Sequence, residues 1–288
     1  MKIGIIGAGA MGSGIAQVAS QAGHEVILTD LSQDVLNASE SKLAKIMNRL
    51  VEKEKYTIDE AQNIQNRITR STSLKDLKDC SLVIEAVVER MDVKNAVFSE
   101  LEGIVSDEAI IASNTSSLSI TSIAKECRVS NRIVGLHFFN PAPLMPLVEI
   151  IPALQTKEEI SSTLSNLMLE WGKSPVIAKD TPGFIVNRVA RPFYSEGLRI
   201  LEEGLADVDT IDSSMRNKGF RMGPFELMDL IGHDVNYAVT ESVFKSFYFD
   251  PRFKPSITQL KLVEAGWNGK KSGRGFYKYE ADGSRSHY

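Results

Sequence analysis

Cysteine is scarce in this chain. Cys80 and Cys127 are the only two in 288 residues; they lie far apart and fit neither a disulfide framework nor a metal-ligand spacing. A reducing cytoplasm is therefore the expected setting, with no metal site. Long apolar runs are also lacking: none approaches the roughly 20 residues that a membrane helix needs. The opening Met1-Lys2-Ile3-Gly4-Ile5-Ile6-Gly7 meets glycine too early to build a signal-peptide core. There is no excess of positive charge, with 33 basic against 37 acidic side chains and a net charge of −4. That balance leaves no electrostatic footprint for nucleic acid, although a local basic face could still hold an anionic ligand. Internal repeats and low-complexity tracts are missing too. What remains is a globular composition, 43% hydrophobic and 24% charged, in a chain long enough for two domains.

The first half reads as alternating strand and helix. Lys2–Ile6 is a short apolar run that ends at glycine; residues 9–22 then read as helix and stop at Gly23, a good residue to end one. Glu25–Leu28 is the next strand and ends at Asp30. Residues 35–55 form a long helix with Leu43, Ile46, Met47 and Leu50 on its buried side. Further strands are predicted at 82–84, 109–112 and 133–136. Short apolar strands separated by amphipathic helices predict a doubly wound, mostly parallel α/β sheet covered on both faces. Late strands follow at 147–151 and 176–178, flanking a helix marked by Ile160, Leu164, Leu167, Met168 and Trp171. From Thr181 the pattern is helical: Thr181 is suited to cap, Pro182 to the first turn, and the helix runs to Glu203 with Pro192 expected to kink it. The expected domains are 1–180, Rossmann-type, and 181–288, helical.

Gly7-Ala8-Gly9-Ala10-Met11-Gly12 has the spacing G-x-G-x-x-G and joins a strand to a helix, the context in which the motif binds a dinucleotide. Gly7 permits the tight turn, Gly9 lets a pyrophosphate approach the backbone, and Gly12 lets helix and strand pack closely. The helix N-terminus at Ala10 and Met11 offers N–H groups and partial positive charge to the phosphates. Asp30, at the end of the second strand, can accept from both ribose hydroxyls and would repel a 2′-phosphate, which favours NAD over NADP. A flavin dinucleotide shares this fingerprint, and a tight turn with a capping aspartate is the bland reading of the same residues.

If the dinucleotide serves an alcohol dehydrogenation, the hydroxyl proton needs a base, and histidine is the usual one near neutral pH. Four histidines are present, His24, His137, His233 and His287. Of these, His137 follows a predicted strand, at the carboxyl edge where open α/β sheets bind ligands. Pro141, Pro143 and Pro146 break the segment between His137 and Glu149, so a chain reversal would bring the two side chains together. A carboxylate on one ring nitrogen fixes the tautomer and stabilises the imidazolium. On the residues alone, Glu149 reads equally as a surface carboxylate at a strand start.

Five blocks go beyond a generic dinucleotide fold: Ser113-Asn114-Thr115-Ser116-Ser117, Gly135-Leu136-His137-Phe138-Phe139-Asn140-Pro141, Asp180-Thr181-Pro182-Gly183-Phe184-Ile185-Val186-Asn187-Arg188, Met222-Gly223-Pro224-Phe225-Glu226-Leu227 and Gly269-Lys270-Lys271-Ser272-Gly273-Arg274-Gly275-Phe276-Tyr277. In order and spacing they resemble the L-3-hydroxyacyl-CoA dehydrogenases over essentially the whole chain. The resemblance implies hydride transfer between C3 of a (3S)-3-hydroxyacyl-CoA and NAD, with His137 as base and Glu149 as its partner. It implies that Ser116 and Asn187 orient the substrate, Ser116 lying on the cofactor side as well; an interdomain hydrogen bond is the plainer role for Asn187. It places Glu89, Lys94, Asn140 and Lys271 on the cofactor side, with a solvated surface charge as the other reading of both lysines. Lys53 matches a coenzyme A contact; Lys42, Lys45 and Arg49 join it by lying on the same basic helix face, for which an ordinary solvated face is the other reading. The site is expected between the domains, and the helical domain is expected to form a homodimer.

Residues 189–196 and 229–236 resemble the branch that acts on 3-hydroxyadipyl-CoA in phenylacetate breakdown, close to the 3-hydroxybutyryl-CoA dehydrogenases. A distal carboxylate would need a cation, for which Arg191, Arg216 and Arg221 are available. Arg221 departs from the proline expected before Met222. Two other classes stay open: a dehydrogenase of a free hydroxy acid or sugar acid, and a non-catalytic dinucleotide-binding relative of the crystallin type.

Overall fold

The computed structural model describes residues 1–286; His287, read above as part of the tail, lies outside the described residues. Contacts divide the chain into two compact units, Met1–Phe184 and Ile185 onward.

The first unit alternates strand and helix: β1 (Lys2–Ile6), α1 (Ala10–Gln21), β2 (Glu25–Thr29), α2 (Gln33–Glu52), α3 (Ile58–Asn66), β3 (Ile68–Ser71), β4 (Leu82–Glu85), α4 (Met91–Glu102), β5 (Ile110–Ser113), α5 (Ile120–Lys125), β6 (Ile133–Phe138), β7 (Leu147–Pro152), α6 (Glu158–Glu170) and β8 (Ser174–Ile177). The eight strands form one sheet in the order β3-β2-β1-β4-β5-β6-β7-β8. All neighbours pair parallel except β6 and β7, which are antiparallel. The period-two alternation of strand side chains sends Ile3, Ile5, Leu82, Ile84, Val134 and Leu136 into one core with α1, α2 and α6. It sends Ile6, Val83, Ile111 and Ile133 into a second core with α4 and α5. Both faces are thus covered, the condition under which a parallel sheet reads as continuous apolar runs.

The second unit is helical: α7 (Val186–Glu202), α8 (Val208–Asn217), α9 (Pro224–Ile231), α10 (His233–Ser246) and α11 (Ile257–Glu264). Tyr194, Leu198, Ile211, Phe225, Met228 and Tyr277 form its own core. No helix among the described residues is long and apolar enough to cross a membrane.

Of the boundaries that differ from the sequence reading, three bear on the site residues. β6 runs on to Phe138, so His137 lies inside the strand, held by five register pairs with β7. α2 stops at Glu52, and Lys53 is its C-cap, followed by Glu54 at φ 55°. α7 starts at Val186, not in the Thr181–Gly183 turn, because Gly183 (φ 73°) and Phe184 (φ 48°) both take left-handed dihedrals that a helix cannot contain; it then continues through Pro192. The unforeseen α3 has a clear local cause: Thr57 and Glu60 form a reciprocal capping box.

Candidate active site

Because β1, β2, β4, β5 and β6 are parallel, their carboxyl ends share one edge of the sheet. The winding reverses between β1 and β4, and the crevice outside such a switch point is where open α/β sheets take ligands. Gly7 and Asp30 follow β1 and β2, Glu85 and Ser113 end β4 and β5, and His137 is the last residue but one of β6.

The glycine turn has the shape a dinucleotide requires. Gly7 takes φ 95°, and a Cβ there would lie 2.6 Å from the Ala86 carbonyl oxygen. A Cβ on Gly12 would lie 1.7 Å from the Gly7 carbonyl oxygen, so only glycine lets α1 start this close to β1. Around Gly9, by contrast, a Cβ would meet nothing within 4 Å, which leaves room for a ligand against the backbone. Among the described residues no side chain caps α1, whose first turn begins with Ala10 and Met11, so its N–H groups are available to phosphate. Asp30 ties the turn to the end of β2: its Oδ2 accepts from the Ala8 N–H at 2.8 Å and its Oδ1 from the Ser32 N–H at 3.0 Å. Each oxygen keeps a second lone pair for a ribose hydroxyl. These residues fit NAD.

His137 and Glu149 are directly opposed on β6 and β7. Directly opposed antiparallel residues point to the same face, which brings together two side chains on either side of the turn at 139–146. His137 Nδ1 lies 2.8 Å from Glu149 Oε2, with the histidine 6% exposed and the glutamate fully buried. Phe139 and Phe184 flank the imidazole at 4.4 and 5.9 Å between ring centroids. A buried carboxylate on Nδ1 orients the ring and leaves Nε2 as the nitrogen able to exchange a proton with a ligand. At the end of β5, Asn114 Oδ1 accepts from the Phe138 N–H at 2.8 Å and so fixes the strand end beside His137.

A buried ionic cluster supports the neighbouring loop. Lys94 was expected on the cofactor side, but its side chain is wholly buried, with Nζ 2.7 Å from Glu85 Oε1 and 3.4 Å from Glu89 Oε2. It acts on anything outside through Glu89. Glu89 Oε1 in turn accepts from Thr115 Oγ1 at 2.7 Å, from the Ser116 N–H at 2.8 Å and from Ser116 Oγ at 3.0 Å. Burial pushes the Glu89 carboxyl up, but Lys94 and these hydroxyl and amide donors outweigh it and hold the group below the usual carboxylate range. Ser116 is thereby positioned just beyond the end of β5. Asn140 lies exposed two residues past the end of β6.

The basic residues of α2 remain on its solvent face, opposite buried Leu43 and Met47: Lys42, Lys45, Arg49 and Lys53 are all exposed. A cleft of about 740 Å³ opens between α1, α2 and the 140–144 segment. Its lining includes Gly14, Leu43, Ile46, Leu50 and Pro141, with Lys42 and Lys55 among its polar residues. In the second unit, Asn187 stands half-buried on the first turn of α7, and Lys271 is ion-paired with Asp234 at 2.6 Å.

Comparison with known proteins matches the NAD binding domain of 3-hydroxyacyl-CoA dehydrogenase to residues 2–181, and the C-terminal domain of the same enzymes to residues 183–279. The chain belongs to the 3-hydroxyacyl-CoA dehydrogenase family. That family comprises NAD-dependent oxidoreductases acting on a CH–OH group. Among curated relatives, 3-hydroxyadipyl-CoA dehydrogenase of Escherichia coli is 47% identical over 97% of this chain. The match spans only 59% of that protein's length. A probable 3-hydroxybutyryl-CoA dehydrogenase of Deinococcus radiodurans is 41% identical over 97% of this chain and 100% of its own. The crystal structure of (S)-3-hydroxybutyryl-CoA dehydrogenase from Ralstonia eutropha superposes with a TM-score of 0.92 at 40% identity, covering 97% of this chain and 99% of that one.

Glu85 is the site-edge residue that the sequence reading missed. It is fully buried and accepts from Lys94 Nζ, Ser113 Oγ and the Val87 N–H, each at 2.7 Å. Its signal was a charge closing the otherwise apolar run Leu82-Val83-Ile84, since a carboxylate so placed needs partners.

Proposed function

We propose that this protein interconverts a (3S)-3-hydroxyacyl-CoA and the 3-oxoacyl-CoA, with NAD as redox partner. The observation that carries the reading is the buried His137–Glu149 pair at the ligand edge of a dinucleotide-binding sheet. Bound NAD supplies the hydride acceptor for the carbon that loses hydrogen. His137 takes the hydroxyl proton on Nε2 as the alcohol is oxidised, and returns it in reduction. Glu149 holds the ring and stabilises the imidazolium, because a fixed buried carboxylate interacts more strongly with that cation than water would. Ser116, held by Glu89, positions the reacting oxygen, and Asn187 is assigned the same positioning task from α7. Gly7, Gly9, Gly12 and Asp30 hold the cofactor, with Asn140 and Lys271 on its side.

The coenzyme A part of the substrate is assigned to the basic face of α2, where Lys42, Lys45, Arg49 and Lys53 suit its phosphates. The apolar cleft beside that helix supports the assignment, since it offers a surface for the thioester's pantetheine arm. A short acyl chain, butyryl or adipyl, follows the named relatives. Two further readings belong with this one. A homodimer through the helical unit is supported by its exposed Leu230, Val235, Phe249 and Ile257. A cytoplasmic setting is supported by the two buried free thiols.

The test is a panel assay for NADH formation with (3S)-3-hydroxybutyryl-CoA, (3S)-3-hydroxyadipyl-CoA, the free 3-hydroxy acids and a sugar acid. Turnover confined to the thioesters is expected. Equal turnover of the free acids would favour the free-acid dehydrogenase, and no turnover at all a binding-only relative.

A further inference from the structure

Three arginines of the second unit were available to meet a negatively charged acyl terminus, and the structure separates them. Arg216 is already neutralised: its guanidinium is bonded to Glu226, which is also bonded by Arg285. Arg221 lies exposed ahead of α9, where water screens its charge. Arg191 is different, being only 4% exposed and without a carboxylate partner among the described residues. Its Nη1 donates to the Asn236 carbonyl and to Thr240 Oγ1, both at 2.9 Å and both neutral acceptors. Its guanidinium carbon lies 4.8 Å from the centre of the Tyr194 ring.

Burying a cation costs several kcal/mol unless an anion meets it. Here burial lowers the Arg191 pKa to about 10, which still leaves the group charged at neutral pH. Neutral acceptors orient such a charge without cancelling it. Moreover, among the described residues neither Arg191 Nε nor the Asn236 side-chain amide nitrogen in the same hydrogen-bonded cluster has an acceptor. A fold that buries a fixed cation alongside two unused donors has an excess of positive charge and of hydrogen-bond donors at one place. A carboxylate supplies what is missing, a negative charge and two acceptor oxygens. The cluster is also held rigidly from behind: Gln259 Nε2 donates to Asn236 Oδ1 at 3.0 Å and lies 3.3 Å from His233 Nδ1, while His233 Nε2 is 2.7 Å from Asp229.

We propose that Arg191 recognises the terminal carboxylate of a dicarboxylic acyl chain, making it the specificity-determining residue for a substrate whose C6 is a carboxylate. This rests on the functional reading above, in which Asn187 addresses the oxygen on C3. Asn187 and Arg191 are four residues apart on α7, one helical turn along the same face and about 6 Å in rise. A chain ending in methyl at C4 or C6 gives the guanidinium no such partner.

The experiment compares kcat/KM for (3S)-3-hydroxyadipyl-CoA with that for (3S)-3-hydroxyhexanoyl-CoA, which has the same chain length and a methyl terminus. In the unmodified protein the carboxylated chain is preferred at least tenfold. In Arg191→Met the ratio between the two substrates falls on the order of 100-fold, mainly through KM, as expected when a buried charge pair loses one member. Arg191→Lys, which keeps the charge but not the fork of donors, gives an intermediate ratio. An unmodified protein that prefers the neutral chain overturns the proposal however the variants fold, as does a ratio left unchanged by Arg191→Met. Failure of the functional reading looks different: the unmodified protein then turns over neither thioester.

Discussion

Glu149→Gln tests the electrostatic core of the site with nearly no change of shape. In the native protein the carboxylate is fully buried and 2.8 Å from His137 Nδ1. When His137 takes a proton, a cation forms beside that anion. At a centre-to-centre separation of about 4 Å and an effective dielectric constant of about 20, their attraction is about 4 kcal/mol. The amide keeps a hydrogen bond but not the charge, and removing one partner of a buried pair costs roughly 3–5 kcal/mol. At about 1.4 kcal/mol per tenfold in rate, kcat/KM should fall between roughly 150- and 4,000-fold. The assay is NADH formation from (3S)-3-hydroxybutyryl-CoA under steady-state conditions. NADH affinity, measured in parallel by fluorescence titration, should change little because Glu149 lies on β7 and the glycine turn on β1 and α1. A loss of less than about tenfold would refute the reasoning, since the carboxylate would then do no more than a neutral amide.

Three other outcomes follow from single observations. Asp30→Ala should weaken NADH binding by roughly 10- to 150-fold, the worth of a charged hydrogen bond, while NADPH affinity changes much less because a repelling carboxylate is also removed; equal losses in the two titrations would count against the ribose contact. Gly12→Ala forces a Cβ to within 1.7 Å of the Gly7 carbonyl oxygen, and overpacking of this kind should cost about 3 kcal/mol or more, lowering Tm by roughly 6–12 °C; an unchanged melting curve would contradict the close approach. Burial disfavours the thiolates of Cys80 and Cys127 and raises their pKa values to about 11 and about 12. At about pH 8 each is then at most one part in a thousand ionised, so a disulfide reagent should label neither thiol until urea unfolds the chain. Rapid labelling of the native protein would show that they are not buried.

Much of this site was legible in the chain because its signals are local. The turn at Gly7, Gly9 and Gly12 follows from backbone sterics within six residues, and Asp30 directly follows the adjoining strand. The chain reversal that pairs His137 with Glu149 was readable from the prolines between them, but the register was not. Opposition of these two residues depends on β6 extending to Phe138, two residues past the predicted end. Residues whose partners are distant in sequence were harder to read. Glu85 gains its meaning from Lys94 and Ser113, and Lys94 reads as a cofactor-side or surface lysine until α4 is packed against the sheet. The start of α7 was misplaced for the opposite reason: Thr181 and Pro182 carry good local helix-start signals, but Gly183 and Phe184 take left-handed dihedrals that only the tertiary fold imposes.

The most direct test replaces the proposed base, His137. Turnover of (3S)-3-hydroxybutyryl-CoA by His137→Gln should fall at least about 1,000-fold relative to the unmodified protein, in line with the loss of a general base, while NADH Kd stays within about twofold. Turnover retained to within tenfold, with the cofactor still bound, would show that some other group accepts the proton.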